Sequence, residues 1–395
     1  AHPQMDPVLF ALFIGAAVAS LFMSWVIGAG SSGATPFAPA VGANAIGTMR
    51  AALLVGAFGF TGAVTQGSNV SEAVGSGLVG DISLPVAGVI LVLALGAGLM
   101  AVGITTGYPI ATAFTVTGAV IGVGLALGGT PVWAKYRQIA LVWTLTPFVG
   151  GGIAFGIASL LPRPGVPERY CVPALAGLVG AVLVNVRFSF LGDGSASGTV
   201  RGLGQRALEV DGLASGVAVT GVAALVVAAV VWWDIGRDER AGLRRVLLAL
   251  GSLVAFSAGG SQVGLAVGPL LPLLDEVGTI STFTVLVGGG LGMLVGSWTG
   301  APRMIKSLAQ DYSSLGPRRS ISALVPSFLI AQLAVLLGVP VSFNEIVVSA
   351  IIGSGAAVGG RDAVDLRKIG VTVGAWAGSF GVSFALAYAA APILL

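Results

Sequence analysis

Charge is what this chain has least of. Only 9% of its 395 residues are Asp, Glu, Lys or Arg, against about 25% in soluble domains. The net charge of +3 is carried by a few basic residues in short connecting stretches, so no basic patch for nucleic acid can be assembled. One cysteine, Cys171, is present, which excludes an intramolecular disulfide and a cysteine-based zinc site. The one histidine, His2, lies in AHPQ before Met5. We read residues 1–5 as an appended or disordered start with Met5 as the natural beginning, so histidine-based catalysis has no candidate. No Gly-rich loop ends in Lys-Ser or Lys-Thr, which argues against an ATP-driven pump acting alone. The carboxylates lack metal-ligand spacing. An enzyme is not expected, and neither is a cofactor.

What is present is apolar and small. Hydrophobic residues make up 55% of the chain, and 62 residues are glycine, which suits helices packed closely in lipid. A membrane span needs about 20 apolar residues. By that rule segments fall near 6–27, 48–69, 83–103, 107–128, 138–161, 171–190, 212–233, 244–272, 279–299, 321–337, 340–358 and 369–394. The expected fold is an all-α polytopic membrane protein of about twelve segments. Residues 107–128 and 340–358 open on Gly and Pro and read as re-entrant-like hairpins. Residues 192–206 and 234–245 read as loops.

Two stretches interrupt the apolar pattern. Residues 28–42 read GAGSSGATPFAPAVG and residues 259–269 read GGSQVGLAVGP. Gly costs about 1 kcal/mol and Pro about 3 in a helix interior, so both are expected to break a helix. At membrane depth, irregular backbone survives only where protein or a polar cavity surrounds it. Paired breaks in two halves of a chain point to a transporter's binding site.

The halves are related by one offset. Adding 231 carries Gly28 to Gly259, Gly33 to Gly264, Gly107 to Gly338, Pro109 to Pro340 and Gly122 to Gly353. Residues 6–161 and 244–395 are therefore read as two membrane repeats, with 162–243 connecting them. The loop 303–319 carries Arg303, Lys306, Arg318 and Arg319, whereas its counterpart 72–88 has no Lys or Arg. Basic loops favour the cytoplasmic side, so the repeats are expected to be inverted. The same rule places both termini on the extracellular face of the cell membrane.

Inverted repeats put a substrate site where their broken helices meet. Helix N-termini there offer unpaired N–H groups and the positive end of the dipole, which suits an anion. The first break contributes Gly28, Gly30, Ser31, Ser32, Gly33 and Thr35. The second contributes Gly259, Gly260, Ser261, Gln262 and Gly264. Thr112 follows Pro109, and Ser342 and Asn344 follow Pro340. Any one of these reads as ordinary membrane packing; four clusters on one offset read as a site. Glu345 is the acidic residue inside a predicted span, where a carboxylate is costly and functional by default. It is the candidate for proton coupling, with a wet or paired helix end as the plain alternative.

At these residues the chain resembles the inorganic phosphate transporter family, including its bacterial sulfate-permease branch. The family's repeated signature is close to GANDVANA, followed by a small-residue run and often GPL. Its counterparts here are GAGSSGATPFAPAVG and SAGGSQVGLAVGPL. A second motif resembling PVSTTH matches Pro109 to Phe114 (PIATAF) and Pro340 to Glu345 (PVSFNE). The family's Asn-Asp pair falls on Gly30 and Ser31, then on Ser261 and Gln262, so both aspartates implied in binding sodium and orienting phosphate are absent. The family histidine falls on Phe114 and Glu345.

The resemblance implies a homodimer in the lipid bilayer that moves phosphate or sulfate by alternating access, coupled to H+ or Na+. Missing aspartates tilt the physics toward sulfate, which has no proton to donate to a carboxylate. An uncoupled anion channel and a non-transporting scaffold or sensor are the alternatives.

Overall fold

The computed structural model describes residues 7–161, 168–188, 191, 198–277, 280–312, 314–359 and 364–395. Residues 1–5, Arg163 and Arg361 lie outside them. The first seven helices are α1 Pro7–Gly30, α2 Ala38–Gly42, α3 Thr48–Gln66, α4 Ser68–Ser76, α5 Val86–Thr106, α6 Thr112–Ala126 and α7 Trp133–Leu160. Three follow in the middle of the chain: α8 Glu168–Val184, α9 Val200–Ala207 and α10 Leu213–Arg237. The last seven are α11 Glu239–Val267, α12 Leu271–Val277, α13 Thr282–Thr299, α14 Ala301–Gln310, α15 Pro317–Leu337, α16 Phe343–Gly359 and α17 Leu366–Leu394. Among the described residues, strand structure is limited to Val79–Gly80 paired antiparallel with Thr130–Pro131 and one isolated bridge.

Each of the twelve segments read from hydropathy has a helix. Nine helices among the described residues are long and apolar enough to cross a membrane, and α6 and α16 are shorter apolar helices. The protein is a multi-pass membrane protein. In α6 every residue from Thr112 to Gly124 is buried, and α16 is buried from Phe343 to Ile351. Helices too short to cross a membrane alone need this, because protein rather than lipid must surround their ends. By contrast α10 exposes Leu213, Val217, Val222, Leu225 and Val230, the apolar surface that lipid solvates.

The 231-residue offset carries helix onto helix. Val86–Thr106 plus 231 gives 317–337, the bounds of α15, and Thr112 plus 231 gives Phe343, the first residue of α16. Gly107 and Gly338 cap α5 and α15 in the left-handed conformation, with φ of 78° and 57°. Only glycine takes that conformation without strain. Packing repeats as well: α1 lies on α13 and α11 on α3, while α6 lies on α17 and α16 on α7.

Two expectations need correction. The first break is real: α1 stops at Gly30, a turn occupies 31–37, and Pro39 starts α2. The second is displaced. Helix α11 runs unbroken through Gly259 and Gly264 to Val267, and only Gly268–Leu270 tightens into a 3-10 turn. Its glycines face the backbone of a neighbouring helix, and no proline intervenes before Pro269. Close packing offsets the glycine propensity cost. Of the loop expected at 192–206, residues 192–197 lie outside the described residues and 200–206 are helical in α9, while in 234–245 only Asp238 separates α10 from α11. Thr199 caps α9 by accepting from Gly202 N at 3.0 Å, and Asp238 caps α11 by accepting from Ala241 N at 3.1 Å. Hydrophilic composition had hidden both caps, which are standard helix starts.

Candidate oxyanion site

The two halves meet at a bond between repeat-related residues. Ser31 Oγ, just past the end of α1, donates to Gln262 Oε1 at 3.2 Å. Gln262 Nε2 donates in turn to the Val341 carbonyl at 2.6 Å. Asn344 Nδ2, in the first turn of α16, donates to the Ile110 carbonyl at 2.7 Å. Ile110 plus 231 is Val341, so the two carbonyls occupy equivalent places before α6 and α16. These bonds tie the first break, the last turns of α11 and both proline-led segments into one cluster. No lysine or arginine takes part in them.

Two tryptophans fix the proline-led segments. Trp143 Nε1 donates to the Pro340 carbonyl at 2.9 Å, and Trp376 Nε1 to the Pro109 carbonyl at 2.7 Å. Trp143 also stacks on Phe114 with centroids 3.8 Å apart. Sequence reasoning missed this pair. They lie 233 residues apart rather than 231, so a search allowing a two-residue slip would have found them.

Ser31, Ser261, Gln262, Ser342, Asn344 and Glu345 are all buried. Four atoms of this set are enclosed without a partner: Ser261 Oγ, Ser342 Oγ, Asn344 Oδ1 and Glu345 Oε2. Buried polar atoms are nearly always paired, and leaving one unpaired costs about 1–3 kcal/mol. Three of the four belong to Ser342, Asn344 and Glu345 at the start of α16, and Ser261 lies on α11 beside Gln262, so unused hydrogen-bonding capacity is concentrated there. Helix α16 adds to it. Its first intrahelical bond runs from Ile346 N to Ser342 O at 3.1 Å, so the N–H groups of its first turn have no partner within the helix.

The remaining predicted residues do other work. Thr35 Oγ1 returns to the Ser31 carbonyl at 3.2 Å and Ser32 Oγ to that of Ile27 at 3.4 Å, so both close the turn after α1. Thr112 Oγ1 donates to Met100 Sδ at 3.4 Å. A Cβ on Gly28 would overlap the Met293 backbone, and one on Gly259 the backbone of Gly59. Gly33 is closed by the Gly28 carbonyl, Gly30 by Ile104, Gly260 by Gln66 and Gly264 by Val70 and Ser71. Five of these glycines lie in α1 or α11 and meet a neighbouring helix, and Gly33 lies in the turn after α1. Among the described residues, no group of three or more Asp, Glu, His or Cys side chains is gathered.

Buried short apolar helices, a polar cluster enclosed in apolar protein and a multi-pass bundle are features of a membrane transporter. Comparison with known proteins gives the family. The profile of the phosphate transporter family matches residues 27–387, and the chain belongs to that family. It is 28% identical to a candidate phosphate permease of Pyrococcus abyssi over 90% of each chain. It is 24% identical to the chloroplastic inorganic phosphate transporter 2-1 of Arabidopsis thaliana, over 93% of this chain and 69% of that one. The solved structure of a sodium-dependent phosphate transporter superposes with a TM-score of 0.79 at 22% identity, covering 97% of this chain and 99% of that chain. At that identity the likeness concerns the fold.

Proposed function

We propose that the protein is a secondary active transporter of inorganic phosphate that works by alternating access, with two inverted repeats around the cluster just described. One observation carries the reading: the unpartnered, buried polar atoms of Ser342, Asn344 and Glu345 at the start of α16, and of Ser261 beside Gln262, whose amide bonds the carbonyl just before that helix. Family membership supports phosphate as the substrate. The anion would take hydrogen bonds from Ser261, Ser342 and the first-turn N–H groups of α16, with Ser31, Gln262 and Asn344 setting the walls.

Coupling follows from Glu345. A protonated carboxyl donates to an oxyanion, whereas a charged one repels it, so proton and anion load together. Sodium is the competing ion, supported by the sodium dependence of the structural relative; here it would need hydroxyl and carbonyl ligands, because Ser31 and Gln262 stand where the family carries aspartate. Sulfate is the competing substrate for the same reason, since a neutral Ser31–Gln262 pair does not repel a full dianion. A homodimer with both termini outside belongs to the same reading.

Uptake of labelled phosphate and sulfate into proteoliposomes, with and without proton and sodium gradients, tests it. The expected result is phosphate accumulation driven by an inward proton gradient. Equilibration without accumulation under every gradient would make the protein a channel, and transport of neither anion would remove the oxyanion reading.

A further inference from the structure

Beside the buried cluster lies a second feature, a cavity of about 580 Å³ between the α3–α4 junction, the end of α8 and the last turns of α15. Apolar side chains of α15 form one wall. The opposite wall carries Gln66, Ser68, Asn69 and Arg187. Arg187 is exposed, and its guanidinium makes no ion pair or hydrogen bond among the described residues. The side chains of Ser68 and Asn69 are likewise unbonded there. Gln66 Nε2 holds the Arg187 carbonyl at 2.9 Å, which fixes the backbone from which the arginine projects. Gln332 Nε2 closes the floor by donating to Ser257 Oγ at 2.6 Å and Gln66 Oε1 at 3.3 Å.

This wall is also the back of the buried site. A Cβ on Gly260, next to Ser261, would sit 2.8 Å from Gln66 Cβ, and one on Gly338, just before Pro340, would sit 3.3 Å from the Asn69 carbonyl. The α3–α4 junction thus touches both segments that carry the cluster. The repeat-related position is engaged differently. Gln66 plus 231 is Ser297, whose hydroxyl bonds the Met293 carbonyl at 2.8 Å and the Gly28 carbonyl at 3.4 Å.

We propose that this cavity is a second binding site, a vestibule that captures the free oxyanion next to the buried cluster. Arg187 supplies its charge, and Ser68 and Asn69 supply neutral donors. It rests on the oxyanion-transporter reading above. A guanidinium presents a planar fork of N–H donors matched to phosphate oxygens, and a charge of one sign in a low-dielectric cleft raises the local concentration of its counter-ion. One amide and one hydroxyl complete the shell without holding the anion too tightly to pass on.

The test is equilibrium binding of labelled inorganic phosphate to the purified full chain in phosphatidylcholine nanodiscs, paired with proteoliposome uptake. Wild type should bind in two components, the weaker one sensitive to salt. Arg187→Gln should weaken that component by about tenfold or more and raise the KM for uptake similarly, while the tighter component and the maximal rate stay within about twofold; Arg187→Lys should restore part of the loss. Asn344→Ala should do the reverse, weakening the tighter component alone. Binding and KM unmoved by Arg187→Gln, with the tighter component intact, overturn the vestibule and leave the buried site standing. No phosphate binding in any protein overturns both. A phospholipid retained by wild type in native mass spectrometry and lost in Arg187→Gln assigns the cavity to a lipid headgroup and overturns the free-anion claim.

Discussion

Ser31 and Gln262 lie 231 residues apart, the offset that relates the two halves, and they hydrogen-bond each other at 3.2 Å. On the inverted-repeat reading proposed above, equivalent positions meet only near the axis relating two copies, which would put this bond at its centre. By the motif resemblance, it also joins the two positions that match the aspartates of the family signature. Two carboxylates there would repel unless a cation lay between them; a hydroxyl and an amide attract.

That bond gives the first prediction. Gln262→Ala leaves the Val341 carbonyl without its donor and loosens the segment that starts α16. A lost buried partner costs about 1–3 kcal/mol, so phosphate uptake should fall by about tenfold to a hundredfold at matched expression. Ser31→Ala should cost less, and the double variant should be less than additive because both act through one contact.

Glu345→Gln keeps the shape of the carboxyl and removes its ability to take up and release charge. Proton-driven phosphate accumulation should be lost while phosphate binding persists. Uptake measured against an imposed pH gradient decides this, and equal stimulation of variant and wild type would remove Glu345 from coupling.

The glycines separate packing from binding. Gly28→Ala and Gly259→Ala push a methyl into the backbone of a facing helix, and overpacking of this kind costs about 1–3 kcal/mol. Gly98→Ala, with nothing within 4 Å of its added methyl, should be neutral or slightly stabilising. Thermal unfolding in detergent should place Gly98→Ala at or above wild type and the other two below it.

Much of this was legible in sequence. Helix existence followed from long apolar runs, and the offset followed from Gly107, Gly338, Pro109 and Pro340, whose backbone demands are local. The continuity of α11 through Gly259–Gly264 was not legible. It depends on how closely α3 packs against those glycines, a tertiary contact that no propensity records. The site was legible as residue types in clusters. Which atoms stay unpaired was not, because Ser32 and Thr35 bond their own turn while Ser261 and Ser342 do not.

A clamp ties α14 to the start of α17. Lys368 Nζ meets Asp311 Oδ2 at 2.5 Å, Ser307 Oγ donates to the same oxygen at 2.7 Å, and Ser307 also reaches the Gly107 carbonyl at 3.3 Å. Burial works against the Asp311 charge, but the bonds from Lys368 and Ser307 and the nearby ammonium outweigh it and hold the carboxyl below its usual 3.8. A depressed carboxyl keeps its contribution above the unfolded value and loses it only as pH falls through the lower folded one. The clamp should therefore persist from about pH 5 to about pH 8. Asp311→Asn should alter the uptake rate without changing the shape of the pH profile over that range, whereas Glu345→Gln should flatten it.

The central claim is that the enclosed cluster at the start of α16 holds phosphate. The most direct measurement is a high-resolution density map of the protein saturated with phosphate. The account predicts tetrahedral density within hydrogen-bond distance of Ser261 Oγ, Ser342 Oγ and the first N–H groups of α16, with Glu345 beside it. Phosphate density elsewhere in the bundle, with those four polar atoms still unpartnered, would contradict it.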